Sequence, residues 1–224
     1  MTLRLYDTRS RVKRKLETLV DGEVGIYVCG ITPYSPSHIG HARQAIAFDI
    51  IVRWLRNSGY KVNHITNFTD IDDKIIAIAN DEKVHFLEVA NRNIEDYFDV
   101  MNLLNVLPAD AYPRVTETIP EIISMISRLI SSGNAYESSD GVYFEINSAP
   151  EKYGQLTGQT LEMVQEGAGG RVNTTGSGKK NHRDFALWKF AKENEPYWDS
   201  PWGKGRPGWH IECSAMSLEY LGAK

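Results

Sequence analysis

The hydrophobic pattern changes period several times along the 224 residues, and each change marks an element. Gly25-Ile-Tyr-Val-Cys29-Gly30 is apolar and β-branched without alternation, as expected of a strand covered on both faces. It reads as the first ordered element. A turn with two prolines follows, Thr32-Pro-Tyr-Ser-Pro-Ser37. Ser37 stands where an N-cap belongs, ahead of a helical pattern from about His38 to Asn57 that Ser58-Gly59 stops. Lys61-Val-Asn-His-Ile-Thr66 reads as a second strand, and Asp70-Ile-Asp-Asp-Lys74 opens another helix. Strand, helix, strand at this spacing is a βαβ unit, which predicts a parallel sheet and an α/β fold.

Further along, Val84, Leu87, Ala90, Ile94, Tyr97, Phe98 and Met101 share one helical stripe. Ile119, Ile122, Ile123, Ile126 and Ile130 share a second, closed by Gly133-Asn134. Both read as core packing. Gly141-Val-Tyr-Phe-Glu-Ile-Asn147 then alternates with period two, as a half-buried strand does. Gly167 to Lys180 is glycine-rich, basic and aperiodic, so a mobile surface loop is expected there. Apolar content returns at Asp184-Phe-Ala-Leu-Trp-Lys189.

Composition narrows the class. With 42% hydrophobic and 24% charged residues, the chain can bury a core. No apolar run approaches the roughly 20 residues of a bilayer span, and no apolar segment follows the N-terminal charges, so neither a membrane span nor a secretory signal is expected. Two cysteines make no disulfide framework, and the reducing cytoplasm is the expected compartment. The 25 Lys and Arg against 29 Asp and Glu, a net charge of -4, argue against a dedicated DNA-coating protein. An intracellular enzyme is the leading class.

Two glycine-rich motifs mislead. Gly203-Lys-Gly205-Arg-Pro-Gly208 matches G-x-G-x-x-G, but no strand precedes it and Pro207 suits a phosphate turn poorly. Gly176-Ser-Gly-Lys-Lys180 resembles a P-loop with broken spacing. His38-Ile-Gly40-His41 is different. It sits at the start of a helix behind a strand and a proline turn, with two imidazoles at i and i+3 on one face. Free N–H groups and the helix dipole already attract anions there. Two histidines add donors for a phosphate and for charge developing in a transition state. Gly40 would let a backbone or ligand approach closely.

Tyr27-Val-Cys-Gly-Ile-Thr-Pro-Tyr34 running into His38-Ile-Gly-His-Ala-Arg43 resembles the nucleotide-binding signature of class I aminoacyl-tRNA synthetases, specifically the cysteinyl-tRNA synthetase family. Thr66-Asn-Phe-Thr-Asp-Ile-Asp-Asp-Lys-Ile75, Asp184 to Lys189, and Trp202 to Met216 resemble further blocks of that family, in its order. The resemblance implies a Rossmann-like catalytic domain: its first half over 1–115, an inserted α+β connective module over 116–200, and the start of its second half over 201–224. It implies a ligase that makes cysteinyl adenylate from cysteine and ATP, with Mg²⁺, and transfers cysteine to tRNA(Cys). A monomer is expected. The family selects cysteine with Zn²⁺, which binds the substrate thiolate and so rejects serine without editing.

By resemblance, His38 and His41 are catalytic, and His38, Gly40 and His41 bind nucleotide. Gly30, Thr69 and Trp209 line the cysteine pocket, and Cys29 and Cys213, the chain's two cysteines, are zinc ligands. Thr69 also reads as an N-cap and Trp209 as a core aromatic. Asp70, Asp72 and Asp73 read as helix-start carboxylates rather than a Mg²⁺ site.

The family's remaining His and Glu zinc ligands, and its lysine loop that clamps ATP, belong to a region beyond Lys224, since His210 and Glu212 do not match those positions. Zinc binding is therefore expected to be weak and aminoacylation slight in this chain alone. Pro33 resembles the related ligase that joins cysteine to a glucosaminyl-inositol, and a truncated paralogue without ligation is a further alternative.

Overall fold

A computed structural model describes residues 3–150, 152–158 and 178–222. In chain order its elements are β1 (Arg4–Asp7), β2 (Val12–Lys15), β3 (Glu23–Ile31), α1 (Ile39–Asn57), β4 (Lys61–Phe68), α2 (Asp73–Glu82) and α3 (Phe86–Leu103). Then come α4 (Ile119–Ser131), β5 (Ala135–Glu137), β6 (Gly141–Phe144), β7 (Phe185–Phe190), β8 (Gly205–Pro207) and α5 (Trp209–Leu221). Single 3-10 turns lie at Val115–Glu117 and Ile146–Ser148. The chain forms two compact units. One comprises Thr18–Ile122, Lys192–Pro196 and Ile211–Lys224; the other comprises Met1–Glu17, Ile123–Ala191 and Tyr197–His210.

The first of these units is the expected βαβ arrangement. β3 and β4 pair in parallel from Glu23↔Lys61 to Val28↔Thr66, with α1 as the crossover. The register then shifts, and pairing resumes at Ile31↔Phe68. The chain at 111–114 extends the parallel sheet on the far side of β4, through Ile65↔Ala111 and Phe68↔Arg114. Phe68 sits at the centre of the core with Ile31, Ile94, Tyr97 and Met101. Of the α3 stripe, Ala90, Ile94, Tyr97 and Met101 are buried while Phe98 stays partly exposed, and α3 buries Val89 in addition. A second cluster, Ile75, Ala79, Val89 and Ala90, welds α2 to α3.

The other unit holds a four-stranded antiparallel sheet of order β5-β6-β7-β8 and the β1-β2 hairpin. Three expectations change here or nearby. The hairpin, not Gly25 to Gly30, is the first ordered element; its charged, exposed strands carry no hydrophobic alternation that would reveal them. β6 is not half-buried, because as an interior strand it buries Gly141, Val142 and Tyr143 in succession. Gly205 to Pro207 forms the edge strand β8, antiparallel to β7. The N-cap of α1 is His38 rather than Ser37. Of the expected loop at 167–180, residues 167–177 lie outside the described residues.

The glycines of the misleading motif have a packing role. A β-carbon at Gly205 would lie 2.3 Å from the Lys189 carbonyl oxygen, and one at Gly208 1.9 Å from that of Ala186. Close strand approach, not a phosphate, requires them.

Candidate active site

The histidine turn is built from four consecutive residues. Its entry is held by α3, where Asn93 Nδ2 donates to the Pro33 carbonyl at 3.3 Å and Asp96 accepts from the Ser37 N–H at 2.7 Å. His38 is in extended conformation, and its Nδ1 accepts from the Gly40 N–H at 3.0 Å. His41 reaches back, its Nδ1 accepting from the His38 N–H at 3.4 Å. The result is a capping box made of two imidazoles in place of the usual Ser/Thr and Glu/Gln. The rings stack, with centroids 3.9 Å apart and planes 21° from parallel.

Because each Nδ1 accepts a backbone proton, each neutral ring carries its own proton on Nε2. Both rings therefore offer a donor beside the N-terminus of a 19-residue helix. Burial, then the neighbouring His38, holds His41 below its ordinary pKa, against a smaller opposing pull from Asp96. Low basicity keeps the box intact at neutral pH. A β-carbon at Gly40 would lie 2.8 Å from His38 Cε1. The ring folds over its own glycine.

The second cluster gathers at the C-terminal end of β3. Gln44 of α1 donates to the Cys29 carbonyl at 2.8 Å. Cys29 is exposed and Cys213, on α5, is half-buried. A hydrogen bond between the two thiols lowers Cys29 to about 7 against the opposing effect of burial, and the same bond together with burial pushes Cys213 far up. Cys29 is the sulfur that ionises first. The Tyr27 hydroxyl lies buried beside them with no partner at hydrogen-bonding geometry. Burial, then the Cys213 sulfur, raises its ionisation far above the ordinary phenol value.

Gly30 and Thr69 meet at the same place. The Gly30 N–H donates to Asn67 Oδ1 at 3.0 Å, and the Thr69 N–H donates to the Ile31 carbonyl at 3.0 Å. Thr69 does not cap α2; Asp72 does, accepting from the Lys74 N–H at 3.1 Å. Asp70, fully buried, accepts from the Thr116 N–H at 3.0 Å and hydroxyl at 2.6 Å, and burial raises its pKa. The carboxylates of Asp70 and Asp72 thus serve different elements, as helix-start and orienting groups do.

Trp209 opens α5 in the other compact unit, 46% exposed, with its ring centroid 5.3 Å from that of His210. Tyr27 and Asn67 belong to the thiol cluster although sequence patterns did not single them out. For Asn67 a signal existed: asparagine is depleted in strands, and one near the end of a buried strand needs a polar partner.

Two adjacent thiols, one ionising near neutrality, fit half of a tetrahedral zinc shell. Among the described residues no third His, Cys, Asp or Glu joins them to form a metal-binding group.

A two-histidine helix start and a pair of neighbouring thiols thus lie in the parallel-sheet unit of an α/β chain. The chain belongs to the family of class I (C) tRNA synthetase catalytic domains, whose model matches residues 15–224. It is 54% identical to the cysteine–tRNA ligase of Pyrococcus horikoshii over 99% of this chain and 46% of that protein. With the cysteine–tRNA ligase of Dehalococcoides mccartyi it shares 52% identity, over 98% of this chain and 47% of that protein. The chain thus spans about half the length of the curated relatives it matches. Among solved structures, the Mycobacterium tuberculosis methionyl-tRNA synthetase in complex with methionyl-adenylate aligns with a TM-score of 0.47 at 24% identity, covering 55% of this chain and 25% of that one.

Proposed function

We propose that the chain carries the amino-acid-activating site of a cysteine–tRNA ligase. One observation supports this most: Cys29 and Cys213, 184 residues apart in sequence, meet beside Gly30 and Thr69 at the carboxyl end of a parallel strand. Ligands of open α/β sheets bind at such strand ends. In the proposed reaction ATP, with Mg²⁺, places its α-phosphate at the N-terminus of α1. A carboxylate oxygen of cysteine attacks the α-phosphorus, the bond to the β-phosphate oxygen breaks, and pyrophosphate leaves. Negative charge grows on the α-phosphate oxygens in the transition state. In this reading the Nε2–H groups of His38 and His41 and the free N–H groups of α1 would stabilise that charge, a role that their stacking at the start of α1 supports.

Thr69 and Gly30 are assigned to the cysteine pocket, and the adenylate then passes cysteine to tRNA(Cys). Zn²⁺ held in part by Cys29 and Cys213 would supply a Lewis acid for the substrate thiolate, which separates cysteine from serine. Among the described residues no helix is long and apolar enough to cross a membrane. The cytoplasm is the assigned compartment.

The test is amino-acid-dependent ATP–pyrophosphate exchange on this chain and on a version extended by the second half that the relatives carry. Exchange in the extended version with cysteine and not serine is the expected result. Equal exchange with serine, or none with either, overturns the reading.

A further inference from the structure

At the end of β3 three of the candidate site residues touch one side chain, Asn67, to which the sequence assigned no role. Asn67 Oδ1 accepts from the Gly30 N–H at 3.0 Å and from the Cys213 thiol at 3.7 Å. Its Nδ2 donates to Thr69 Oγ1 at 3.4 Å. Asn67 is only 1% exposed, so it cannot itself reach a substrate. Its backbone is equally committed, because a β-carbon at Gly30 would lie 1.7 Å from the Asn67 carbonyl oxygen. The register shift between Val28 and Ile31 makes room for this approach.

The orientation of the carboxamide is forced. A backbone N–H only donates, so Oδ1 must face Gly30, and Nδ2 must then face Thr69. Toward Cys213 the amide offers an acceptor and nothing else. A group this buried is costly unless all its partners are present, so displacing one loosens the others. A side chain that only relieved the register shift would need Gly30 alone. Asn67 also ties α5, through Cys213, to the segment after β4, through Thr69.

We propose that Asn67 is a positioning residue that holds Cys213 and the Thr69 hydroxyl in fixed relation to Gly30, presenting Cys29, Cys213 and Thr69 as one unit to the amino-acid substrate. The claim deepens the assignment of this pocket to cysteine and rests on it for the substrate's identity. The hydrogen-bonded geometry is independent of that assignment.

The experiment follows alkylation of each cysteine by iodoacetamide, using peptide mass spectrometry on the reduced, metal-free 224-residue chain. Asn67→Ala is expected to speed Cys213 modification about tenfold, the scale on which supporting groups act, while Cys29 changes less than about twofold. Thr69→Val removes only the acceptor for Nδ2 and should speed Cys213 by a smaller factor, with a smaller fall in melting temperature than Asn67→Ala. It keeps the test decisive if Asn67→Ala does not fold. Unchanged Cys213 reactivity in Thr69→Val, or equal acceleration of both cysteines, overturns the proposal. In the extended, exchange-competent chain Asn67→Ala should raise the KM for cysteine about tenfold and leave the KM for ATP unchanged. A shared rise in both constants would mark a merely structural residue. If exchange fails while Cys213 still responds, the cysteine-activating reading falls and the positioning role stands; the converse outcome removes the positioning role alone.

Discussion

The histidine turn and the thiol cluster solve opposite problems of assembly. The turn is local: His38 to His41 close on themselves through two backbone N–H groups and one ring stack, and each partner lies within three residues. The thiol cluster is assembled from β3, β4 and α5 over 184 residues, and its hub is a buried amide. A local cap costs little loop entropy and tolerates change in the rest of the chain. A long-range cluster exists only if the whole unit is folded. The reactive sulfurs should therefore report on global folding, and the imidazoles on the first turn of α1.

The largest expected effect is on the long-range side. In Gly30→Ala the new β-carbon would lie 1.7 Å from the Asn67 carbonyl oxygen, a backbone atom that cannot move aside cheaply. The change should cost about 3 kcal/mol, read as a lowered urea midpoint, with loss of the Cys29–Cys213 contact. His38→Ala removes the cap on the Gly40 N–H and should cost only about 1 kcal/mol while lowering pyrophosphate exchange about a hundredfold in the extended chain. Disproportion between stability and activity is what separates this turn from an ordinary cap.

Smaller effects follow from ionisation. Cys29, lowered by its hydrogen bond with Cys213, should show an alkylation profile with a midpoint of about 7, and Cys213→Ala, which removes the donor, should shift that midpoint upward. His41, held below its ordinary pKa of 6.5, makes a contribution that is full above that value and lost as pH falls through the lower folded pKa. Urea midpoints should therefore fall between pH 7.5 and 5.5. His64, also lowered chiefly by burial, adds a loss of the same sign. His41→Gln keeps a capping-box acceptor without titrating, so it should flatten part of that slope, leaving the His64 part.

How much of this was legible follows the same division. The βαβ unit, the α3 stripe and the imidazole pair were readable because period, turn residues and spacing are local signals. The N-cap moved from Ser37 to His38 because imidazole Nδ1 can do what a hydroxyl does, and Ser37 instead donates its N–H to Asp96. The β1-β2 hairpin escaped because its strands are charged and exposed, so no apolar alternation betrays them. Cys29 and Cys213 could be paired only through family resemblance, since nothing local predicts contact across 184 residues. Asn67 stood inside a quoted motif, yet its role depends on a register shift that sequence patterns do not encode.

The central claim is that Cys29 and Cys213 form one sulfur site for the amino acid and its metal. Cobalt titration of the reduced chain, followed through the thiolate-to-metal charge-transfer band, tests it most directly. The account predicts a band in the unaltered chain that weakens by about half in both Cys29→Ser and Cys213→Ser, as loss of one of two sulfur ligands requires. A band of unchanged strength in either variant would contradict it.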